Sequence, residues 1–190
     1  QLLSETGLFR STRQQVSAKG VEPFEIMGEM WQDGATSERW VAIPSEEMIS
    51  VEKKARKRVP AMEIPSDTVL CRTTSLGGQK VETQILHYEN QVWNGYSYAW
   101  NEDGNDAQLV PAEGLDVELP DGTPWRYPSR AECARCHNIG SDYRLAFQPG
   151  KLNLEGQLEH LKVRGLVNEG FVDSAIIQPA ASMDDESASV

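Results

Sequence analysis

Val69-Leu70-Cys71-Arg72-Thr73-Thr74, then the turn Leu76-Gly77-Gly78-Gln79, then Val81-Glu82-Thr83-Gln84-Ile85-Leu86-His87-Tyr88 is the stretch whose reading decides the fold. Two runs rich in β-forming residues flank a glycine pair, and such a pair supplies the positive φ values that a tight hairpin turn demands. In the second run Val81, Thr83, Ile85 and His87 alternate with Glu82, Gln84, Leu86 and Tyr88. His87 is therefore expected to share a face with Val81 and Ile85. Val92-Trp93 and Tyr96-Ser97-Tyr98-Ala99-Trp100 continue the pattern as far as the polar turn Asn101-Glu102-Asp103-Gly104-Asn105. From Val41 to Leu119 the chain reads as a meandering antiparallel sheet.

The character changes after Leu119. Pro120-Asp121-Gly122-Thr123-Pro124 reads as a loop, and Pro128-Ser129-Arg130-Ala131-Glu132 as the start of a helix. Ser129 can cap that helix while Glu132, three residues on, reaches back to close a capping box. A second helix is expected over Leu154 to Arg164, with Leu154, Leu158 and Leu161 on one side, His160 pointing away, and Gly165 as its stop. Beyond Phe171 periodicity weakens, and Ser182 to Ser189 reads as a linker. The expected fold class is α+β: an antiparallel meander followed by short helices that carry a C-x-x-C-H site. Residues 1–178 are expected to form one domain, and 179–190 a tail leading towards a further domain.

The bulk composition narrows the function. With 39% hydrophobic and 25% charged residues the chain has the make-up of an ordinary globular protein. No apolar run is long enough to span a bilayer. No charged-then-apolar leader stands at Gln1, so any leader is expected to have been removed. The 29 acidic residues outweigh the 18 basic ones for a net charge of -11, which argues against non-specific binding to nucleic acid or anionic lipid. Three cysteines are a poor disulfide framework.

Two of those cysteines lie in Cys133-Ala134-Arg135-Cys136-His137, the pattern of covalent c-type haem attachment. Helical spacing turns both sulfurs and the imidazole the same way, so the sulfurs can meet one porphyrin edge while the histidine rises under the iron. Structural zinc would need two further ligands from Cys71, His87 and His160, whose spacing is unlike a zinc finger. A redox dithiol would need a βαβ setting rather than this antiparallel one. For the sixth iron position His87 is one candidate and Met183 a weaker one; methionine, histidine, water and an open site all remain chemically reasonable. Met27, Met30, Met48 and Met62 read as filler, and Cys71 as a buried inert thiol. Trp31, Trp40, Trp93, Trp100 and Trp125 read mostly as core. Lys53-Lys54-Ala55-Arg56-Lys57-Arg58 is a solvated basic loop or, alternatively, a docking patch for an acidic redox partner.

Several segments in order resemble a family of bacterial haem c domains in multidomain proteins, often placed behind a sugar-dehydrogenase-like propeller and before a second haem c domain. They include Leu3-Ser4-Glu5-Thr6-Gly7-Leu8-Phe9, Gly20-Val21-Glu22-Pro23-Phe24, and Trp31-Gln32-Asp33-Gly34-Ala35 with Arg39-Trp40. Further along they are Ile64 to Leu70, Glu82-Thr83-Gln84-Ile85-Leu86, Tyr96 to Glu102, Trp125 to Cys133 and Cys136-His137-Asn138. The last are Leu152-Asn153, then Gln157-Leu158 before Gly165-Leu166. The chain departs from the family pattern at Asp67, where glycine is usual, at Arg72, where lysine is usual, and in a shortened stretch between Asn153 and Gln157.

The resemblance implies a periplasmic or otherwise extracytoplasmic electron-transfer domain. It implies one covalent haem c on Cys133 and Cys136, His137 as axial ligand, and a fused or docked dehydrogenase or another cytochrome domain as redox partner. No catalytic residues are expected of a carrier. The rival expectation is a haem enzyme with an open iron position acting on peroxide or a nitrogen oxide.

Overall fold

The structure of the protein, a computed structural model, describes residues 1–28, 34–43, 46–51, 62–138 and 143–177. After a 3₁₀ turn at Leu3–Thr6 come β1 (Phe9–Ser11), β2 (Val16–Ser17), β3 (Val21–Pro23), β4 (Thr36–Ala42), β5 (Ser50–Val51) and β6 (Met62–Glu63). They are followed by β7 (Val69–Leu76), β8 (Gln79–Glu89), β9 (Val92–Trp100), β10 (Ala107–Leu109), β11 (Leu115–Glu118) and β12 (Pro124–Tyr127). The helices are α1 (Arg130–Cys136), α2 (Gln157–Val163) and α3 (Glu169–Ile177), with a 3₁₀ turn at Pro149–Leu152 before α2. The described residues are thus broadly α+β, mostly antiparallel sheet with short helices.

The hairpin forms as its glycines dictate. Gly77 and Gly78 take φ values of 57° and 82°, and β7 and β8 pair antiparallel on either side. The main sheet has the order β10-β9-β8-β7-β4-β3, with every neighbouring pair antiparallel. It therefore begins at Val21, well before the expected Val41. The two aromatic runs join into one strand through Asn94-Gly95.

Each face of the sheet has its own cover. On one face Trp40, Cys71, Ile85, Tyr98 and Trp100 pack with Leu3, Leu8 and Phe9 from the amino-terminal segment. On the other, Val41, Leu70 and Leu86 pack with Phe147, Leu161 and Phe171 from the carboxy-terminal segment. Helix α2 begins at Gln157 rather than Leu154, because Gly156 at φ 75° stands at its N-cap and breaks the helical run from Leu154. Its stop at Gly165, φ 75°, is where expected. Helix α3 has no counterpart in the sequence reading; it forms where Phe171 and Ala175, four apart, are both fully buried.

Candidate functional site

The Ser129–Glu132 capping box starts α1 as expected. The Glu132 backbone N–H donates to Ser129 Oγ at 3.1 Å, and the Ser129 N–H donates to Glu132 Oε2 at 2.8 Å. Arg126 on β12 also donates to Glu132, at 2.9 Å. Those hydrogen bonds to Ser129, with Arg126 behind them, hold the Glu132 carboxyl well below the usual range, at about 2. Cys133 and Cys136 lie on α1, and His137 is its C-cap, with its N–H still donating to the Cys133 carbonyl at 2.9 Å.

Strand β9 positions the helix. A Cβ on Gly95 would stand 2.6 Å from Cys133 Cβ and 3.0 Å from its Sγ, so α1 lies against bare backbone there. The Arg130 guanidinium, one turn earlier on α1, lies 4.9 Å from the centre of the Tyr96 ring on the same strand. Gly95 pairs with Leu86, Leu86 with Leu70, and Leu70 with Val41. Directly opposed residues share a face, so α1 sits on the face that buries Leu86, Leu70 and Val41.

Between that face and the carboxy-terminal segment lies a largely apolar cavity of about 440 Å³. Leu70, Leu86 and Gly95 line its sheet side, Cys133, Cys136 and His137 one wall, and Phe24 and Phe147 another. The two phenylalanines meet edge to face at 5.1 Å. The His137 Nδ1 lies 2.5 Å from the Tyr143 carbonyl oxygen. A carbonyl only accepts, so Nδ1 carries the proton and the Nε2 lone pair is left for a ligand role.

Cys133 is not an activated thiol. Burial, with Glu82 nearby, pushes the Cys133 thiol up, where a nucleophilic cysteine needs it lowered. Cys71, fully buried on β7, is pushed up by burial as well, in keeping with an inert thiol. Among the described residues no group of three or more His, Cys, Asp and Glu side chains converges as a metal site. The cavity does fit the group that the C-x-x-C-H pattern implies. Two thiols and an imidazole border one apolar space, within the size range of cofactor pockets, and the imidazole is already in the tautomer an iron ligand needs.

Other expected site residues lie elsewhere. His87 pairs across the sheet with Val69 and Asn94, on the face opposite α1, and its Nε2 lies 3.4 Å from Asp67 Oδ1. It shares that face with Ile85, whereas Val81, beside the β-bulge at Thr74 and Ser75, packs with Val110 and Tyr127. Asp67 itself has φ 62°, a conformation glycine adopts without steric cost. His160 points to solvent and pairs with Glu22 at 3.2 Å. Met183, Met30, Trp31 and the basic block 53–58 lie outside the described residues.

Sequence reasoning passed over Gly95, the Tyr143 carbonyl and the cations of the cavity. Only Gly95 carried a signal, as a lone glycine inside an aromatic strand. Comparison with known protein families, with curated proteins and with solved structures found no match to this chain. Among the described residues no helix is long and apolar enough to cross a membrane.

Proposed function

We propose that this chain carries one haem c, bonded through Cys133 and Cys136 with His137 as an axial ligand, and relays single electrons between an oxidoreductase, fused or docked, and another carrier. The observation that carries the reading is the convergence of both cysteines and His137 on one apolar cavity, with His137 Nδ1 held by the Tyr143 carbonyl. When bound, such a group supplies reversible one-electron chemistry at iron. The chain's own part is positional. The capping box and Gly95 set α1 on the sheet, the Tyr143 carbonyl orients the imidazole, and Leu70, Leu86 and Phe147 keep water from the interior. Cys136 is exposed, which brings the attachment edge to the surface, where a partner can dock. Covalent haem attachment belongs outside the cytoplasm, so the proposal includes an extracytoplasmic location.

The test is expression with a haem c maturation system, followed by intact mass and a pyridine haemochrome spectrum. The wild type is expected to gain one haem, and Cys133→Ala with Cys136→Ala to gain none. Matured wild type that remains bare polypeptide refutes the reading. Carbon monoxide separates carrier from enzyme: an inert low-spin spectrum supports the carrier, and rapid binding the rival haem enzyme.

A further inference from the structure

The cavity reverses the charge of its surroundings. In a chain of net charge -11 its described lining holds four cations, Arg39, Arg72, Arg144 and Lys151, against the single carboxylate Glu132. Two of the four form a built pair. Arg39 on β4 stands directly opposite Arg72 on β7, and Arg72 stands opposite Gln84 on β8. That row lies two residues along from Val41, Leu70 and Leu86, so its side chains share their face and line the same cavity. Arg39 is only 7% exposed. The Arg72 Nε donates to Ser37 Oγ at 2.9 Å, which orients its guanidinium, and five N–H donors let such a group hold several acceptors at once.

We propose that Arg39 and Arg72 receive the two carboxylates of the haem. The inference rests on the haem reading above and names the other end of the same site. Cys133 meets the sheet at β9, whereas β7 and β4 are two and three strands away, or about 10 and 14 Å at ~4.8 Å per strand. Haem is an apolar plate whose two carboxylates stand on the edge remote from the thioether positions. A plate held at Cys133 that extended over Leu86 and Leu70 would turn that edge towards the arginine row. Arg72 already feels the buried Glu82 carboxylate on the same face, and a dianion in the cavity would add charge-assisted contacts to the pair.

The test uses the matured haem protein. Arg72→Gln, Arg39→Gln and Arg72→Lys are compared with Lys162→Gln, a surface cation on α2 that pairs with Glu159 and Glu169. Attached haem is read by intact mass, the reduction potential by spectroelectrochemistry, and the propionate bending band by resonance Raman. Haem is expected to stay attached in all four. Each glutamine variant of the row should lower the potential relative to Lys162→Gln, since removing a nearby cation favours ferric iron, and should shift the propionate band. Arg72→Lys should recover most of the potential but not the band. Arg72→Gln keeps the test open if the more buried Arg39→Gln fails to fold. Attached haem whose potential and propionate band ignore both substitutions overturns the inference alone. A wild type that acquires no haem overturns the reading beneath it as well.

Discussion

Gly95→Ala tests whether α1 owes its place to a missing side chain. The new methyl carbon would stand 2.6 Å from Cys133 Cβ and 3.0 Å from Sγ. Non-bonded carbons prefer a separation of about 3.5–4.0 Å, so the helix must retreat by about 1 Å. Neither neighbour is the far end of a flexible chain: one is the root of the Cys133 side chain and the other the sulfur next to it. Overpacking of this kind costs about 1–3 kcal/mol. For a chain of this size each kcal/mol lowers Tm by about 2–4 °C, which predicts a drop of roughly 2–12 °C. The same retreat lifts Cys133 off the sheet, so matured protein should also carry less haem per chain, and Gly95→Val should be worse than Gly95→Ala on both counts. Calorimetry and the pyridine haemochrome assay read the two effects. A Gly95→Ala protein with wild-type Tm and full haem content would refute the placement of α1.

Removal of the cap by Ser129→Ala is expected to cost about 1 kcal/mol in thermal or urea unfolding. Because the folded Glu132 carboxyl lies at about 2 against an ordinary 4.5, its stabilising effect is present above about 4.5 and fades as pH falls towards 2. Glu132→Gln should therefore flatten the acid limb of a stability–pH curve, and an unchanged limb counts against the cap. Glu82 runs the other way. It is 3% exposed, and burial pushes its carboxyl up although the Gln84 amide donates to it at 3.1 Å. Its protonated form thus favours the folded state, and that contribution is lost as pH rises from 4.5 through the raised folded value. Relative to wild type, Glu82→Gln should gain stability as pH rises above 4.5; equal midpoints throughout would contradict this. His87→Ala should leave the absorption spectrum of the matured protein unaltered, since the sheet separates His87 from α1. Loss of a low-spin signal would show instead that His87 reaches the iron.

What was legible in the sequence is what short-range chemistry decides. The Gly77-Gly78 hairpin, the Ser129–Glu132 cap and the Gly165 stop each depend on a few adjacent residues, and each stands where expected. Legibility failed where a weak local signal was overruled by packing. The run from Leu154 looked helical but yields to Gly156, and α3 forms around Phe171 and Ala175, which are buried against elements far away in the chain.

The sequence by itself determined the chemistry on offer: two thiols and an imidazole at helical spacing behind a strong cap, in an acidic chain with a β-rich body. Only the tertiary structure decided which side of the sheet that helix occupies, that His87 lies on the other side, and that Arg39 and Arg72 stand side by side across the cavity from Cys133. The reason is register. Alternation along one strand tells which residues share a face, but which face meets the helix depends on pairings between residues remote in sequence, and those are settled only when the strands pack.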